Sequence, residues 1–302
     1  MDSNQVQSVP DGTRVPAFNQ HRRLLFSIAY GMLGSVTDAE DILQEAYIRW
    51  QLAAGDEIIS PKAYLVTIVS RLCINHLQST RVKRELPVGL HLPEPLVTEP
   101  EDDPLGVLRV DESLSMAVLL LLERLTPVER AVFLLREVFG FSYAEIAKSL
   151  GQSEANCRQL FSRARRHVGD MRRQFDASLQ AHQELLERFI DAARNGNVER
   201  LLSLLASDAV LYIDRGAAAP VPDAVRGATD VAGRLLDGTR ALPKNVVIRK
   251  ATINGEPGLI SYVEGRPCSV LVVDVRRDRI QGVYIINDRD KLSHLPTIED
   301  AP

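Results

Sequence analysis

The chain has 302 residues, enough for two or three compact units, and its 45% hydrophobic and 25% charged residues indicate a globular protein with apolar cores. A net charge of −4 argues against a simple nucleic-acid coat, but net charge hides local basic clusters. Cys73, Cys157 and Cys268 fit no zinc spacing, so we expect reduced thiols, no metal and no cofactor. The N-terminus lacks a signal-peptide pattern and the longest apolar run is too short to span a bilayer, which predicts a cytoplasmic protein without membrane contact.

The first helical block is predicted to contain two amphipathic helices. The pattern Thr37-Asp-Ala-Glu40 is that of a capping box and is expected to begin a helix that ends near Leu52. The exposed face of this helix is mostly acidic, and no histidine or metal-ligand spacing accompanies it, so a solvated or protein-docking face is favoured over acid-base chemistry. Pro61 suits the first turn of a second helix that continues to Leu77.

A linker rich in proline and acidic residues follows, over residues 87–112. Such a composition cannot form a continuous helix and buries little apolar surface. The linker separates a first helical domain, residues 14–86, from a second one, residues 113–175.

The clearest local signal in the second block is a helix-turn-helix. Ser142-Tyr-Ala-Glu145 predicts a capping box, Gly151 a positive-φ turn, and Ser153 the cap of a helix from about Glu154 to His167. The spacing predicts a buried stripe formed by Cys157, Leu160, Phe161, Ala164 and Val168. Guanidinium and amide groups, which read bases and hold phosphates, occupy the remaining face: Arg158, Gln159, Ser162, Arg163, Arg165 and Arg166. A solvated basic helix without a nucleic-acid partner is the less favoured alternative.

The composition changes after this block, and residues 180–296 are predicted to form an α+β domain. Helical spacing over Leu185–Leu205 precedes β-branched runs between Val246 and Ile286, where antiparallel strands are expected. Turn signals separate the runs at Asn254-Gly255, Glu264-Gly265 and Arg276-Arg-Asp278.

The run Leu125–Gly151 with the helix after it resembles region 4 of sigma-70-type factors, and Gly34–Trp50 with Pro61–Leu77 resembles region 2. The chain is therefore similar to extracytoplasmic-function sigma factors, whose partners are promoter DNA and the clamp helices and flap of bacterial core RNA polymerase. The resemblance assigns the arginine-rich helix to the −35 element and assigns core-polymerase docking to Asp41, Gln44, Glu45 and Arg49. It assigns −10 recognition to Lys62, Tyr64, Arg71, Asn75, Arg81 and Arg84, and the loop Gly55–Ser60 to capture of an unstacked base. Tyr64, Arg71 and Asn75 depart from the residues frequent in that family, which leaves the −10 base preference open.

Three further motifs resemble those of a subgroup of these factors that carries a SnoaL-like domain of the NTF2 type. His91-Leu-Pro-Glu-Pro-Leu96 is similar to the linker motif of the subgroup. The residues Asp288, Asp290, Lys291 and Leu292 are similar to its terminal motif, with Asp288-Arg289 where the subgroup has Asn-Pro. Its glycine-rich motif appears here only as Asp214-Arg-Gly-Ala-Ala218. The implied fold class is multidomain: a region 2 helical bundle, a region 4 helix-turn-helix and an α+β NTF2-like cone that regulates activity in cis, without a separate anti-sigma factor.

Several readings remain open at this level. The linker is either a segment that passes through a polymerase channel or a disordered spacer. The protein is either a sigma factor or a stand-alone helix-turn-helix regulator with a ligand-sensing cone, and the pocket of the cone is a possible small-molecule site. An enzyme is the third alternative, with catalytic candidates Tyr212, Asp214, Asp274, Tyr284 and His294, although fold analogy does not establish chemistry and no catalytic residue is expected.

Overall fold

The computed structural model describes residues 11–53, 58–79, 92–98, 114–168, 179–216 and 223–298. These residues divide into two compact units. The first unit contains the helices within 11–79 and 121–168, and the second contains 92–98, 114–120 and 179–298, built around a seven-stranded sheet. None of the helices in the described ranges is both long enough and apolar enough to cross a membrane.

Three helices form the N-terminal part of the first unit: α1 (Asp11–Leu33), α2 (Val36–Leu52) and α3 (Pro61–Gln78). They pack against one another around Trp50 and Tyr30, both with no exposed surface. Arg14 closes the end of α2, because its guanidinium donates to the carbonyl oxygens of Trp50 at 3.0 Å and Ala53 at 2.9 Å. These carbonyls lack partners within the helix, so the arginine satisfies groups that would otherwise be left unpaired.

The start of α2 differs from the sequence prediction. Ser35 is the N-cap, and its hydroxyl accepts from the Asp38 amide at 3.0 Å, so the predicted capping box at Thr37–Glu40 is wrong. The reason is Gly34, whose φ of 69° ends α1 and leaves Ser35 in the extended conformation that a cap needs. The prediction for Pro61 is confirmed: it occupies the first turn of α3 behind the cap Ser60.

The second part of the first unit is the helix-turn-helix. It is preceded by α4 (Met116–Leu122), of which residues 116–120 belong to the second unit. Its own helices are α5 (Pro127–Phe133, continued by a π turn over Leu134–Val138), α6 (Tyr143–Leu150) and α7 (Glu154–Val168). The Ser142–Glu145 capping box is confirmed, as are the left-handed turn at Gly151, φ 67°, and the Ser153 cap of α7. A residue with a Cβ is strained at that φ, which explains the glycine.

The second unit contains the remaining elements. They are β1 (Val97–Thr98), α8 (Leu179–Arg194), α9 (Val198–Leu204), β2 (Leu205–Asp214), β3 (Asp223–Arg226), α10 (Ala228–Arg240), β4 (Val247–Ile253), β5 (Glu256–Val263), β6 (Arg266–Arg276), β7 (Arg279–Ile286) and α11 (Arg289–Leu292). The strand order is β1-β4-β5-β6-β7-β2-β3. The predicted fold class, with helical N-terminal regions and an α+β C-terminal domain, is confirmed.

The predicted antiparallel pairing holds for β4 to β7 but not for the whole sheet. Strands β4 to β7 form a meander, whereas β2 lies parallel to β7 with Leu211 opposite Val283. Parallel neighbours need a long connection, and here α10 and the meander provide it. All three predicted turns are confirmed as two-residue connections with positive φ at both positions, for example 54° at Asn254 and 77° at Gly255. This geometry matches the twist of the flanking strands.

The sheet separates two apolar cores. Along β6, Val273 and Val275 pack with α8, α9 and α10 on one face, while Val270 and Val272 face the opposite side. The second core contains Leu92 from the linker, the first turns of α4 and the end of α11. The first core shapes the pocket of the domain, and the second fixes the linker to it.

Candidate functional site

The recognition helix α7 has the two faces that its sequence predicts. Cys157, Leu160, Ala164 and Val168 are buried, and Phe161 is partly buried between Phe133 and Tyr143. The opposite face is exposed along its whole length: Arg158, Gln159, Ser162, Arg163, Arg165 and Arg166. The structure therefore presents four guanidinium groups, one amide and one hydroxyl on one accessible surface, a set that can bind phosphates and base edges.

Arg158 is oriented by its neighbours. It pairs with Glu154 one turn earlier at 2.9 Å, and its guanidinium lies 5.2 Å from the centre of the Tyr143 ring. Arg136 contacts the same ring at 4.8 Å. The tyrosine thus stabilises two cations through its ring, and it fixes the first turn of α7 relative to α6.

Arg163 has a structural contact that sequence reasoning missed. Its guanidinium lies 3.7 Å from the carboxylate of Glu129, which also accepts from Thr126 in a capping box at the start of α5. The Thr126–Glu129 spacing of that box was the available signal, since a buried carboxylate attracts a nearby cation. Arg163 therefore links α7 to α5 as well as lying on the exposed face.

The predicted docking face of α2 is exposed. Asp41, Gln44 and Arg49 are accessible, and Glu45 is partly accessible and pairs with Arg49 at 2.8 Å. Ile48 lies among them with 47% of its surface exposed. A polar face that surrounds one apolar side chain is suited to contact with another protein.

Two of the predicted −10 residues contact the helix-turn-helix. The Nε of Arg71 donates to the carbonyl oxygen of Ser149 near the end of α6 at 2.9 Å, and the ammonium of Lys62 lies 5.2 Å from the centre of the Phe141 ring. Asn75 is exposed, and Tyr64 packs on Trp50. Arg81 and Arg84 lie outside the described residues, as do residues 55–57 of the Gly55–Ser60 loop.

Arg130 is a buried connection between the two helical parts of the first unit. It donates to the carbonyl oxygens of Met32 at 2.6 Å and Leu122 at 2.9 Å, while burial lowers the pKa of its guanidinium. No local pattern signals this role, because its partners lie 98 and 8 residues away.

In the second unit, residues 92–98 of the linker are part of the domain rather than a spacer. Val97 and Thr98 form strand β1 on the edge of β4. Asn254 holds this segment: its amide donates to the Leu96 carbonyl at 2.8 Å, its Oδ1 accepts from the Leu96 amide at 3.2 Å, and its Nδ2 donates to the Leu114 carbonyl at 3.3 Å. For these residues the disordered-spacer reading is wrong, because buried leucines and paired backbone groups fix the chain.

Lys291 connects the three motifs that the sequence singled out. Its ammonium donates to the Leu92 carbonyl at 2.5 Å and pairs with Asp214 at 2.7 Å. Asp214 is 4% exposed, so this ion pair is shielded from water. The linker motif, the counterpart of the glycine-rich motif and the terminal motif therefore meet at one ammonium group.

The backbone around this junction also requires a glycine. Gly216 has φ 70°, and a Cβ there would lie 2.7 Å from the carboxyl carbon of Asp288. Asp288 caps α11 by accepting from the Asp290 amide, and this places Lys291 on the next turn. The close approach of Gly216 thus positions the helix that carries Lys291.

The five candidate catalytic residues have structural partners in the described part of the chain. Tyr212 stacks on Tyr284, Asp274 pairs with Arg276 at 2.8 Å, and His294 contacts the Pro95 carbonyl. The fifth, Asp214, is held by Lys291. Tyr284 and Asp274 are buried together, and burial, with the charge of Asp274 second, raises the pKa of the tyrosine well above its ordinary value. Among the described residues that line the cavity of this domain, none of the five occurs.

Comparison with known proteins finds matches for both helical parts and for the whole chain. Residues 17–82 match the family model described as sigma-70 region 2, and residues 115–168 match sigma-70, region 4. The ECF RNA polymerase sigma factor SigJ of Mycobacterium tuberculosis is 35% identical over 94% of this chain and 95% of its own length. A probable ECF sigma factor of the same species, SigI, is 30% identical over 89% and 91%. The crystal structure of SigJ aligns with 94% of this chain and 100% of that chain, with a TM-score of 0.76 and 34% identity.

Proposed function

This chain belongs to the extracytoplasmic-function family of RNA polymerase sigma factors, and from that premise we propose which of its surfaces bind promoter DNA and which bind core polymerase. Members of this family bind core RNA polymerase and promoter DNA to initiate transcription, and this chain is such an alternative sigma factor. Helix α7 reads the −35 element, with Arg158 and Gln159 at bases and Arg163, Arg165 and Arg166 at phosphates. Helix α3 and the residues after it read the −10 element, α2 docks on the clamp helices, and the region 4 part contacts the flap.

The observation that carries this proposal is that one compact unit has both an exposed polar face on α2 and an exposed arginine face on α7. A stand-alone repressor needs the arginine face alone. The contacts of Lys62 and Arg71 with the helix-turn-helix add a requirement: these side chains must leave Phe141 and Ser149 before they can reach DNA. Engagement of polymerase is therefore expected to open the first unit.

Reversal of one charge on α2 tests the docking surface. Glu45→Arg places a second cation beside Arg49, where an ion pair now stands, and removes a carboxylate from the proposed interface. We expect the affinity for core polymerase to fall about tenfold or more, since like-charge placement at an interface costs over 1 kcal/mol. Binding is measured by titration of fluorescently labelled core with the full chain.

The matched control is Glu199→Arg, the same reversal at an exposed position in the first turn of α9. This variant should bind core as the unchanged chain does. Circular dichroism checks that both variants are folded. Normal holoenzyme assembly by Glu45→Arg would show that α2 is not the docking helix.

The C-terminal domain is proposed to regulate the factor in cis, in place of a separate anti-sigma protein. Support comes from the linker, because Lys291 and Asn254 hold its residues 92–98 on the domain. A linker held in this way cannot at the same time follow a polymerase channel. The domain thus acts as a reversible clamp on the connection between the two promoter-binding parts, without catalysis or cofactor, in a cytoplasmic protein.

A further inference from the structure

The C-terminal domain contains a cavity of about 1170 Å³ that no part of the proposed function uses. Small-molecule sites commonly measure about 300–1,000 Å³, so this cavity is large enough for an organic ligand. Apolar side chains from six elements of the domain line it: Phe189, Leu211, Leu235, Leu259, Leu271 and Ile285. Leu242 also lines it and is 39% exposed, so the apolar wall reaches solvent.

Most of the charged residues that line the cavity are positively charged. Five are arginines, Arg194, Arg215, Arg234, Arg266 and Arg289, and the acidic ones are Asp237 and Glu264. Asp237 already pairs with Arg240. Within the described part of the chain, no carboxylate lies within ion-pair distance of Arg194, Arg266 or Arg289. A cationic rim around an apolar interior complements a ligand with the opposite charge on an apolar body.

We propose that this cavity binds an anionic amphiphile, a single hydrocarbon chain with a carboxylate or phosphate head. The chain occupies the apolar interior, and the head pairs with the arginines of the rim. Burial of each methylene group contributes about 0.8 kcal/mol, so a medium-length chain gains enough affinity to bind from dilute solution. An uncharged chain of the same length keeps the apolar contribution and loses the pairing with the guanidinium groups.

The site is placed to influence the linker. Arg289 and Leu292 line the cavity, and both lie on α11, the short helix whose Lys291 holds Leu92 and Asp214. A head group that pairs with Arg289 therefore acts on the same turn that holds the linker. The influence of the ligand on the linker rests on the proposed cis-regulation, whereas binding of the ligand to the cavity does not.

Binding to the full chain is measured with a dansyl-labelled undecanoic acid, whose fluorescence rises in an apolar site, and with competitors. Dodecanoate and dodecyl phosphate carry the two head groups, and dodecanol is the uncharged match. We expect displacement by at least one anion at concentrations about tenfold or more below those that dodecanol requires. Which anion is stronger identifies the head group.

Two glycines of α10 provide a matched pair of variants. Gly238 lines the cavity and Gly233 does not, and a Cβ at either position would meet no atom within 4 Å. Gly238→Trp should reduce probe binding at least tenfold, whereas Gly233→Trp should bind as the unchanged chain. The double variant Arg194→Gln and Arg266→Gln should bind dodecanol normally and lose the preference for anions.

Each result decides for or against the site, and thermal unfolding first checks that the variants are folded. Absence of probe binding, equal displacement by dodecanol and the anions, or normal binding by Gly238→Trp would each overturn it. The assay contains neither polymerase nor DNA, so its failure is distinct from failure of the sigma-factor assignment. If binding holds, the preferred anion should change transcription by the unchanged chain and not by Gly238→Trp.

Discussion

The guanidinium of Arg158 contacts the Glu154 carboxylate on its own helix and the Tyr143 ring on the helix before it. These contacts fix the orientation of the guanidinium in the absence of DNA. Such an ordered guanidinium loses less conformational freedom on forming two hydrogen bonds to a base. The pair with Glu154 is exposed and contributes little to stability, so DNA can replace it at low cost.

We predict that Arg158→Ala weakens binding of the holoenzyme to its best −35 sequence by about 1–3 kcal/mol and relaxes the preference at one position. The measurement is a titration of holoenzyme against a set of −35 variants. Arg166→Ala is the comparison: as a proposed phosphate contact it should weaken all sequences alike. An unchanged sequence preference in Arg158→Ala would contradict the assignment of α7 to the groove.

At this scale, the sequence predicts what depends on local spacing. The 3.6-residue period separates Cys157 and Ala164 from Arg158 and Arg165, and the structure agrees on all four. The same period does not predict the contacts of Arg71 and Lys291. The partner of Arg71, Ser149, is 78 residues away, and the partner of Lys291, Leu92, is 199 residues away. Such contacts depend on the assembled fold, which no local pattern encodes.

At the scale of elements, the hairpin turn between β4 and β5 does more than reverse the chain. Asn254 was predicted as a turn residue, and its φ of 54° agrees. Its side chain also holds Leu96 of the linker and Leu114 before α4. Asparagine suits both tasks, because it tolerates the left-handed region and offers a donor and an acceptor.

We predict that Asn254→Gly keeps the hairpin and releases the linker strand. Glycine adopts the same φ, so the turn survives, whereas the Leu96 amide loses its acceptor inside the domain. An unpaired buried amide costs about 1–3 kcal/mol, so hydrogen exchange at residues 96–98 should accelerate roughly tenfold or more.

The control is Glu264→Gly, at the first residue of the next hairpin turn, where φ is 51°. It makes the same kind of substitution away from the linker and should leave exchange at residues 96–98 unchanged. Equal exchange in Asn254→Gly and the unchanged chain would show that other contacts hold β1.

Secondary structure could be predicted where elements are long or their turns distinctive. Antiparallel strands between Val246 and Ile286 were expected from β-branched runs and three turn signals, and the structure has them as β4 to β7. Strands β1, β2 and β3 were not expected. Two residues of β1 carry no period, and β2 follows a helix directly, so its run Leu205–Asp214 resembles an extension of that helix.

At the scale of the whole molecule, the motif of the linker and the motif near the C-terminal end are in direct contact. Neither has an evident role alone, but in the structure the Lys291 ammonium joins the Leu92 carbonyl to Asp214. Their separation in sequence concealed this contact, and the resemblance to the subgroup supplied a reason to seek one. We therefore predict that release of this contact changes how readily the factor initiates transcription.

The most direct test is initiation in vitro with bacterial core polymerase over a promoter library, comparing the full chain with Lys291→Met and with Lys244→Met. Lys244 is exposed and makes the matched substitution away from the linker. We expect all three to initiate from promoters with two elements only when core is present, and Lys291→Met to give several-fold more product because the linker is free. Equal output from Lys291→Met and the unchanged chain would contradict cis-regulation. DNA binding without core, or no initiation by any of the three, would contradict the central claim that the chain acts as a sigma factor.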